Sequence, residues 1–221
     1  MKDTKVIYDE ETLSVLRSTL PPIGVNTYFI RTNTQLVVID PGYGTKGIID
    51  EYFNSYLSSS NIIITHAHYD HIAGLQEFDT GKIHLSGPAQ KALSNPELNL
   101  SSSFSKGLTF PESRFSAYTI NDGKYTIGGL SFYALLLPGH TCGDLFLDFG
   151  KFMFSGDILF ENSIGRTDFK GSDALQMERS LRMLTTYLKK KNPGDRIFPG
   201  HLNFFTVGYA LSNNPFLLHG E

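Results

Sequence analysis

The densest chemistry in this sequence lies between Thr65 and Gly74, where His66, His68, Asp70 and His71 fall within six residues directly after Asn61-Ile62-Ile63-Ile64. Imidazoles and a carboxylate at the end of a buried strand are the composition of a metal site. Chance clustering or helix capping explains a lone histidine, not four ligand-type residues in the order His-x-His-x-Asp-His. In an extended backbone His66, His68 and Asp70 share one face and His71 points the other way, so His71 joins them only where the chain turns. Ile72, Leu75 and Phe78 follow at helical spacing. The expectation is a strand, a metal-binding loop and a helix, with the turn near Asp70 and free backbone N–H groups aimed at a carboxylate.

Such a cluster needs partners, and three candidates each follow a predicted strand. His140 comes after Leu135-Leu136-Leu137-Pro138-Gly139, Asp157 after Phe154-Ser155-Gly156, and His201 after Ile197-Phe198-Pro199-Gly200. A glycine just before each lets the backbone turn sharply and approach closely. Taken singly, His140 and His201 read as loop histidines; the repeated Pro-Gly-His turn argues against that. His84, inside a short predicted strand, and His219, in the tail, have no ligand-type neighbours and are read as structural or solvent-facing.

The elements that must hold these residues alternate between strand and helix patterns. Strand residues occur between Val6 and Leu20, and Pro21-Pro22-Ile23-Gly24 breaks the run. Val25 to Ile30 and Gln35 to Ile39 form a hairpin about Thr32-Asn33-Thr34, ending in Asp40-Pro41-Gly42-Tyr43-Gly44, which puts Asp40 at a strand end. Thr45 to Leu57 is an amphipathic helix ended by Ser58-Ser59-Ser60. Lys82 to Ser86 is a short strand and Pro88 to Leu93 a proline-started helix, while 94 to 117 lack a steady period and read as a long surface connection. Lys124 to Ile127, Leu130 to Leu137, Asp144 to Phe149 and Phe152 to Phe154 are strands joined by Gly128-Gly129 and Gly150-Lys151 turns. Asp173 to Lys190 is a helix with Leu175, Leu181, Leu184 and Leu188 on or near one face; Arg196 to Phe198 is a last strand and Thr206 to Ser212 a last helix. Two β-to-α halves predict an α/β protein with two sheets face to face and helices outside, an αββα sandwich.

The 221 residues suffice for a sizeable core and are read as one domain. Nineteen basic against twenty-two acidic side chains give a net charge of −3, and no basic run exceeds Lys189-Lys190-Lys191, so a nucleic-acid partner is not expected. No apolar run reaches the length of a membrane span, and Met1-Lys2-Asp3-Thr4-Lys5 leads into no long apolar region. Together with a single cysteine, Cys142, these features lead us to expect a soluble, cytoplasmic protein without a signal peptide, a membrane partner or an internal disulfide.

The chain resembles the metallo-β-lactamase superfamily, and more narrowly its short glyoxalase II-like (hydroxyacylglutathione hydrolase-like) hydrolases. The resemblance runs through Asn26-x-Tyr28, Asp40-Pro41-Gly42, the histidine cluster, Pro138-Gly139-His140-Thr141, Gly156-Asp157, Ile164-Gly165-Arg166-Thr167-Asp168, Pro199-Gly200-His201 and Asn214-Pro215-Phe216. It implies the four-layer metallo-β-lactamase fold, one metal held by His66, His68 and His140, a second held by Asp70, His71 and His201, and Asp157 bridging. A donor set without thiolate suits two Zn2+ ions and is compatible with iron or manganese. Two such ions about 3.5 to 4 Å apart can share a water and lower its pKa to about 7, and they can polarise a carbonyl and hold the oxyanion formed on attack. Asp70 and Asp157 are the expected catalytic carboxylates, Asp70 also orienting the hydroxide, and Asp40 is expected to support a ligand from behind. For Arg166 two readings stand: contact with a glutathione-like thiol carrier, implied by the resemblance, or a surface pair with Asp168. Tyr43 and Tyr69 flank the metal loops as pocket lining or simply packed aromatics.

The expected reaction is binuclear metal-dependent hydrolysis of a small acyl-thiol such as S-lactoylglutathione, whose thiolate leaves without a strong general acid. The alternative is a mononuclear iron persulfide dioxygenase, which is similar through Gly165 to Phe169 and uses the equivalents of His66, His140 and Asp157; those enzymes commonly have alanine where this chain has Gly200. A member that binds metal or a partner without turnover is a third reading, opposed by the complete ligand set. Lactonase, β-lactamase and nuclease activities share the ligand set, charge opposing the nuclease and the absent signal peptide a periplasmic β-lactamase. The sequence also departs from the family. Cys142 stands where proline or serine is usual and is read as a small packed residue, Asp144 stands where histidine is frequent, Leu202-Asn203-Phe204-Phe205 is bulkier than usual, and the additional C-terminal helical domain of full-length glyoxalase II enzymes is not expected.

Overall fold

Alternation along single strands sets the layers. In β4 (Leu36–Ile39) all four side chains are buried, Leu36 and Val38 facing one apolar core and Val37 and Ile39 another. In β11 (Phe152–Gly156) Phe152 and Phe154 join that second core while Met153 enters a third. A strand with period-two side chains and both faces covered must lie inside a layered structure.

The computed structural model describes residues 3–53, 61–104, 110 and 114–218. Its first sheet has the order β1 (Asp3–Glu10), β2 (Leu13–Leu20), β3 (Val25–Thr32), β4, β5 (Asn61–Ile63), β6 (Gly81–Leu85), β7 (Phe115–Thr119), antiparallel up to β4 and parallel from β4 to β7. The second sheet has the order β13 (Phe205–Thr206), β12 (Arg196–Pro199), β11, β10 (Leu145–Asp148), β9 (Leu130–Leu136), β8 (Gly123–Ile127). Only the β11–β12 pair in it is parallel. The inner core is built from both sheets, with Tyr28, Ile39 and Ile63 meeting Leu145, Phe154 and Phe198. Helices α1 (Thr45–Tyr52) and α3 (Gly87–Leu93) pack Ile48, Ile49, Ala89 and Leu93 on the outside of the first sheet. Helices α4 (Ala174–Leu188), α5 (Val207–Asn213) and α6 (Pro215–Leu218) cover the second. Three apolar cores between four layers give the expected αββα sandwich. Among the described residues no helix is long and apolar enough to cross a membrane.

Several elements differ from the sequence reading for identifiable reasons. Val6 to Leu20 is a hairpin of two strands, β1 and β2; β1 is largely exposed, so no alternation marks it. Part of the 94–117 connection is the edge strand β7, exposed at every position but its first. On α4, Leu175 is 67 % exposed and Met177 takes the buried place, because Met177 lies four residues before Leu181 and so shares its face. Asp173 is the cap of that helix, accepting the N–H groups of Leu175 (2.9 Å) and Gln176 (3.0 Å). The predicted helical residues Tyr56 and Leu57, the Ser58-Ser59-Ser60 stop, His219, and 105–109 and 111–113 of the long connection lie outside the described residues.

Parallel pairing places the chemistry. Asp40 follows β4, Thr65 and His66 follow β5, Asp157 follows β11, and Pro199-Gly200-His201 closes β12. Parallel neighbours end on the same side, so the loops at the carboxyl ends of these strands gather at one edge of the sandwich.

Candidate metal centre

The turn that brings His71 to its neighbours falls one residue earlier than expected. His68 is extended (φ −67°, ψ 150°) and precedes the short helix α2 (Tyr69–Ile72), so Asp70 and His71 both sit on a helical turn. A 3-10 segment, Ala73–Glu77, replaces the longer helix the spacing suggested. The chain is crowded there by the loop after β4: Gly74 donates its N–H to the Pro41 carbonyl at 2.8 Å, and a Cβ on Gly74 would come within 2.2 Å of the Gly42 oxygen.

The seven ligand-type side chains meet. One nitrogen from each of His66, His68 and His140 lies within 4.8 Å of the others, and the same spacing groups His66, His71 and Asp157, and Asp70, His71 and His201. His201 Nε2 is 3.0 Å from Asp70 Oδ2, 3.5 Å from Asp157 Oδ2 and 3.4 Å from His71 Nε2. Asp157 reaches both sides, with Oδ1 3.5 Å from His71 Nε2 and Oδ2 3.6 Å from His140 Nε2.

The donor atoms fit a cation. Nε2 of His66, His68 and His140, together with Asp157 Oδ1, are buried and have no hydrogen-bond partner. A buried polar atom left so costs about 1–3 kcal/mol, and several converging on one spot are accounted for by an ion placed among them. The outward nitrogens of three imidazoles are held. His71 Nδ1 lies 2.9 Å from Asp40 Oδ2, His140 Nδ1 2.8 Å from the Arg166 carbonyl, and His201 Nδ1 3.2 Å from the Gly24 carbonyl. Those acceptors favour a proton on Nδ1 and turn each Nε2 inward, the nitrogen with which a neutral imidazole would hold an ion.

Burial and neighbouring imidazoles keep His66 well below the ordinary histidine range, and burial with the nearby His140 pushes His68 down to about 3. Both are neutral, as a ligand must be. On the other side the carboxylates Asp70, Asp157 and Asp40 outweigh the desolvation of His71 and hold its pKa well above the usual value. His201 is raised as well, by its hydrogen bond to Asp70 and the charge of Asp157. Desolvation would raise the pKa of Asp157, yet His71, His201 and His140 pull it far below the carboxylate norm.

Asp40, expected to support a ligand from behind, lies 2.9 Å from His71 Nδ1. It is buried, takes a left-handed φ of 52°, and accepts the Thr65 N–H at 2.7 Å and the Thr65 hydroxyl at 2.6 Å. The His140 loop is braced by Asp144, which accepts the N–H (2.7 Å) and hydroxyl (2.6 Å) of Thr141; burial raises its carboxyl pKa to about 6. Cys142 in the same loop is exposed rather than packed. The His201 loop is clamped from the opposite sheet. Asn26 donates its backbone N–H to the Gly200 carbonyl (2.7 Å) and its amide to the carbonyls of Pro199 (3.0 Å) and Leu202 (2.9 Å). The Tyr28 hydroxyl adds a 2.6 Å bond to the Pro199 carbonyl.

Around the centre the rim is aromatic. Phe169 sets its edge against His68 at 5.7 Å, and the Arg166 guanidinium lies over the Phe169 ring at 4.3 Å. The Arg166 side chain is exposed and paired with Asp168 at 2.9 and 2.7 Å, which is the surface-pair reading of that residue. Tyr69 stacks on Phe104 at 5.2 Å and Tyr43 is exposed. His84 stands apart, stacked on Tyr118 with Nε2 3.2 Å from Asn61 Oδ1. Thr65, Asn26 and the Arg166 carbonyl were not assigned roles from sequence. Asn26-x-Tyr28 was visible as a motif, whereas a backbone carbonyl carries no residue-type signal.

A layered αββα frame with a histidine and aspartate cluster at the carboxyl ends of its parallel strands defines a metal-dependent hydrolase class. The chain belongs to the metallo-β-lactamase superfamily, whose family model matches residues 20–201. Hydroxyacylglutathione hydrolase GloC of Haemophilus influenzae is 29 % identical over 188 residues, 81 % of this chain and 86 % of that one. Curated relatives from Streptococcus pyogenes and Bacillus subtilis carry the description probable metallo-hydrolase. Among solved structures, the BLEG-1 B3 metallo-β-lactamase superposes with TM-score 0.79 at 28 % identity, covering 92 % of this chain and 99 % of that one. TTHA1623 in a di-iron-bound form gives TM-score 0.72 at 29 % identity over 90 % and 98 %.

Proposed function

We propose that this protein hydrolyses the thioester of a small acyl-thiol, S-lactoylglutathione or a related compound, at two metal ions, zinc or iron, held by His66, His68 and His140 on one side and Asp70, His71 and His201 on the other, with Asp157 between. The observation that carries the reading is the convergence of these seven side chains with their inward Nε2 and carboxylate atoms left for a cation. Ions bound there would supply hydroxide at neutral pH and polarise the thioester carbonyl. Asp70, 3.0 Å from His201 Nε2, would accept a hydrogen bond from the attacking oxygen and orient it. Asp157 keeps its charge because three imidazoles face it. The thiolate product is a good leaving group, so no strong acid is required of the site. Similarity to GloC supports the thioester, and similarity to a di-iron protein keeps iron beside zinc as the metal.

The test is turnover of a thioester panel by protein loaded separately with zinc and with iron. Hydrolysis of at least one glutathione or other small-thiol ester, lost in His140→Ala, is expected. No turnover of any member with both ions bound overturns the reading, and oxygen uptake on glutathione persulfide by the iron form would replace it with dioxygenase chemistry.

A further inference from the structure

The centre meets solvent mainly on one side. The side chains of His201 and Asp70 are 17 % and 12 % exposed, against 0 % for His71 and 4 % for His140. A substrate that reaches the donor atoms from there passes the His201 loop, and a cation beside that loop acts on whatever charge the substrate carries.

Arg17 is such a cation. The register of β2 and β3 sets Arg17 opposite Tyr28, which lies in the inner core, so the arginine stem follows the inner face of the first sheet. Its half-buried side chain ends at the second, where Nη1 donates to the carbonyl of Leu202, the residue after His201, at 3.4 Å. One residue of chain, about 3.8 Å between α-carbons, separates the two anchoring points, and an extended tripeptide spans about 10 Å. A thiol carrier of that size, held by its thioester at the centre, covers the distance.

The charge on Arg17 is uncompensated. Among the described residues it pairs with no carboxylate, its Nε is buried without a hydrogen-bond partner, and its bond to Leu202 is long. Lys5 stands directly opposite on β1, where a like charge is unfavourable, and the Lys5 ammonium is itself tied to Asp3 at 3.0 Å. A half-buried guanidinium without a counterion is stabilised when an anion joins it. Arg166 differs on this point: its Nε and Nη2 already hold the two oxygens of Asp168 at 2.9 and 2.7 Å, the edge with which a guanidinium grips a carboxylate.

We infer that Arg17 binds an anionic group of the substrate's thiol carrier, a carboxylate or a phosphate, while the thioester lies at the metal centre. This rests on the acyl-thiol reading above.

The experiment measures steady-state kinetics of zinc-loaded protein with lactoyl thioesters of three thiols: glutathione, which carries carboxylates, coenzyme A, which carries phosphates, and N-acetylcysteamine, which carries neither. Arg17→Gln is expected to lower kcat/KM about 10- to 100-fold for at least one charged ester, through KM with kcat kept, and to leave the neutral ester unchanged. Arg166→Gln is expected to leave all three unchanged. A loss confined to the glutathione ester identifies a carboxylate, and one confined to the coenzyme A ester a phosphate. Metal content and circular dichroism check that the centre and the fold are intact. Should Arg17→Gln not fold, Arg17→Lys, which keeps the charge and loses the fork, is read for the same selective loss at smaller size. Kinetics equal to wild type, or an equal loss with the neutral ester, overturns the inference. If wild type turns over no ester, the acyl-thiol reading fails on its own, and calorimetric titration with S-methylglutathione and with coenzyme A decides the inference: binding that is lost in the Arg17 variant upholds it, and binding equal in both proteins or absent from both overturns it.

Discussion

Asp40 shows how much one side chain away from the ions determines. Its carboxylate takes the Nδ1 proton of His71, the N–H and the hydroxyl of Thr65, and sits in a backbone conformation that aspartate and asparagine tolerate better than most residues. Removing its charge turns an imidazole that is held as a ligand into one that is free to rotate or protonate on the wrong nitrogen. Asp40→Asn keeps the shape and should weaken metal binding on the His71 side by about 10–100-fold, measured by competition with a chromophoric chelator, while the His66–His68–His140 side is unchanged. At this scale the ligands were legible because four of them crowd six positions and the others follow repeated glycine turns. Arg166 was not decided by type alone. Its guanidinium lies with Asp168 and Phe169, and its backbone carbonyl is what touches His140.

Among the elements, β3 reaches furthest. It lies in the first sheet, yet Asn26 and Tyr28 hold the loop that delivers His201 from the second. Asn26→Ala would remove two hydrogen bonds to the His201 loop, leaving the Pro199 carbonyl to the Tyr28 hydroxyl and the Leu202 carbonyl to Arg17, so a loss of about 1–3 kcal/mol in denaturant unfolding is expected, together with weaker metal binding; Tyr28→Phe, which removes one bond, should lose about 1 kcal/mol. β6 supplies a pH dependence. Burial first, and Lys82 second, lower the pKa of His84 to about 4 from the ordinary 6.5. Between those values the unfolded chain binds a proton that the folded chain refuses, so stability falls as pH drops through that window and is restored above it. His84→Gln should flatten the thermal midpoint across that range. Strands with one apolar face or two were readable from sequence, whereas β1 showed only as scattered strand residues from Val6 and β7 not at all, because an exposed edge strand shows no alternation. The short α2 was misjudged in length, since its ending depends on Pro41 and Gly42, residues distant in sequence from the helical pattern.

Across the whole molecule the centre is a joint between two sheets. His66, His68, Asp70 and His71 come from the first, and His140, Asp157 and His201 from the second, with the inner core of Tyr28, Phe154 and Phe198 beneath them. The layer order was readable because three separate apolar cores impose three separate patterns on the chain, and the joint was readable only as a set of ligand types still lacking an arrangement. Anomalous diffraction at the metal absorption edge, from crystals of protein loaded with zinc or iron, addresses that arrangement most directly. Two peaks about 3.5–4 Å apart are expected, one among His66, His68 and His140 and the other among Asp70, His71 and His201, with Asp157 reaching both. No peak inside this ring, or metal bound elsewhere while the inward nitrogens hydrogen-bond only to water, would contradict the account.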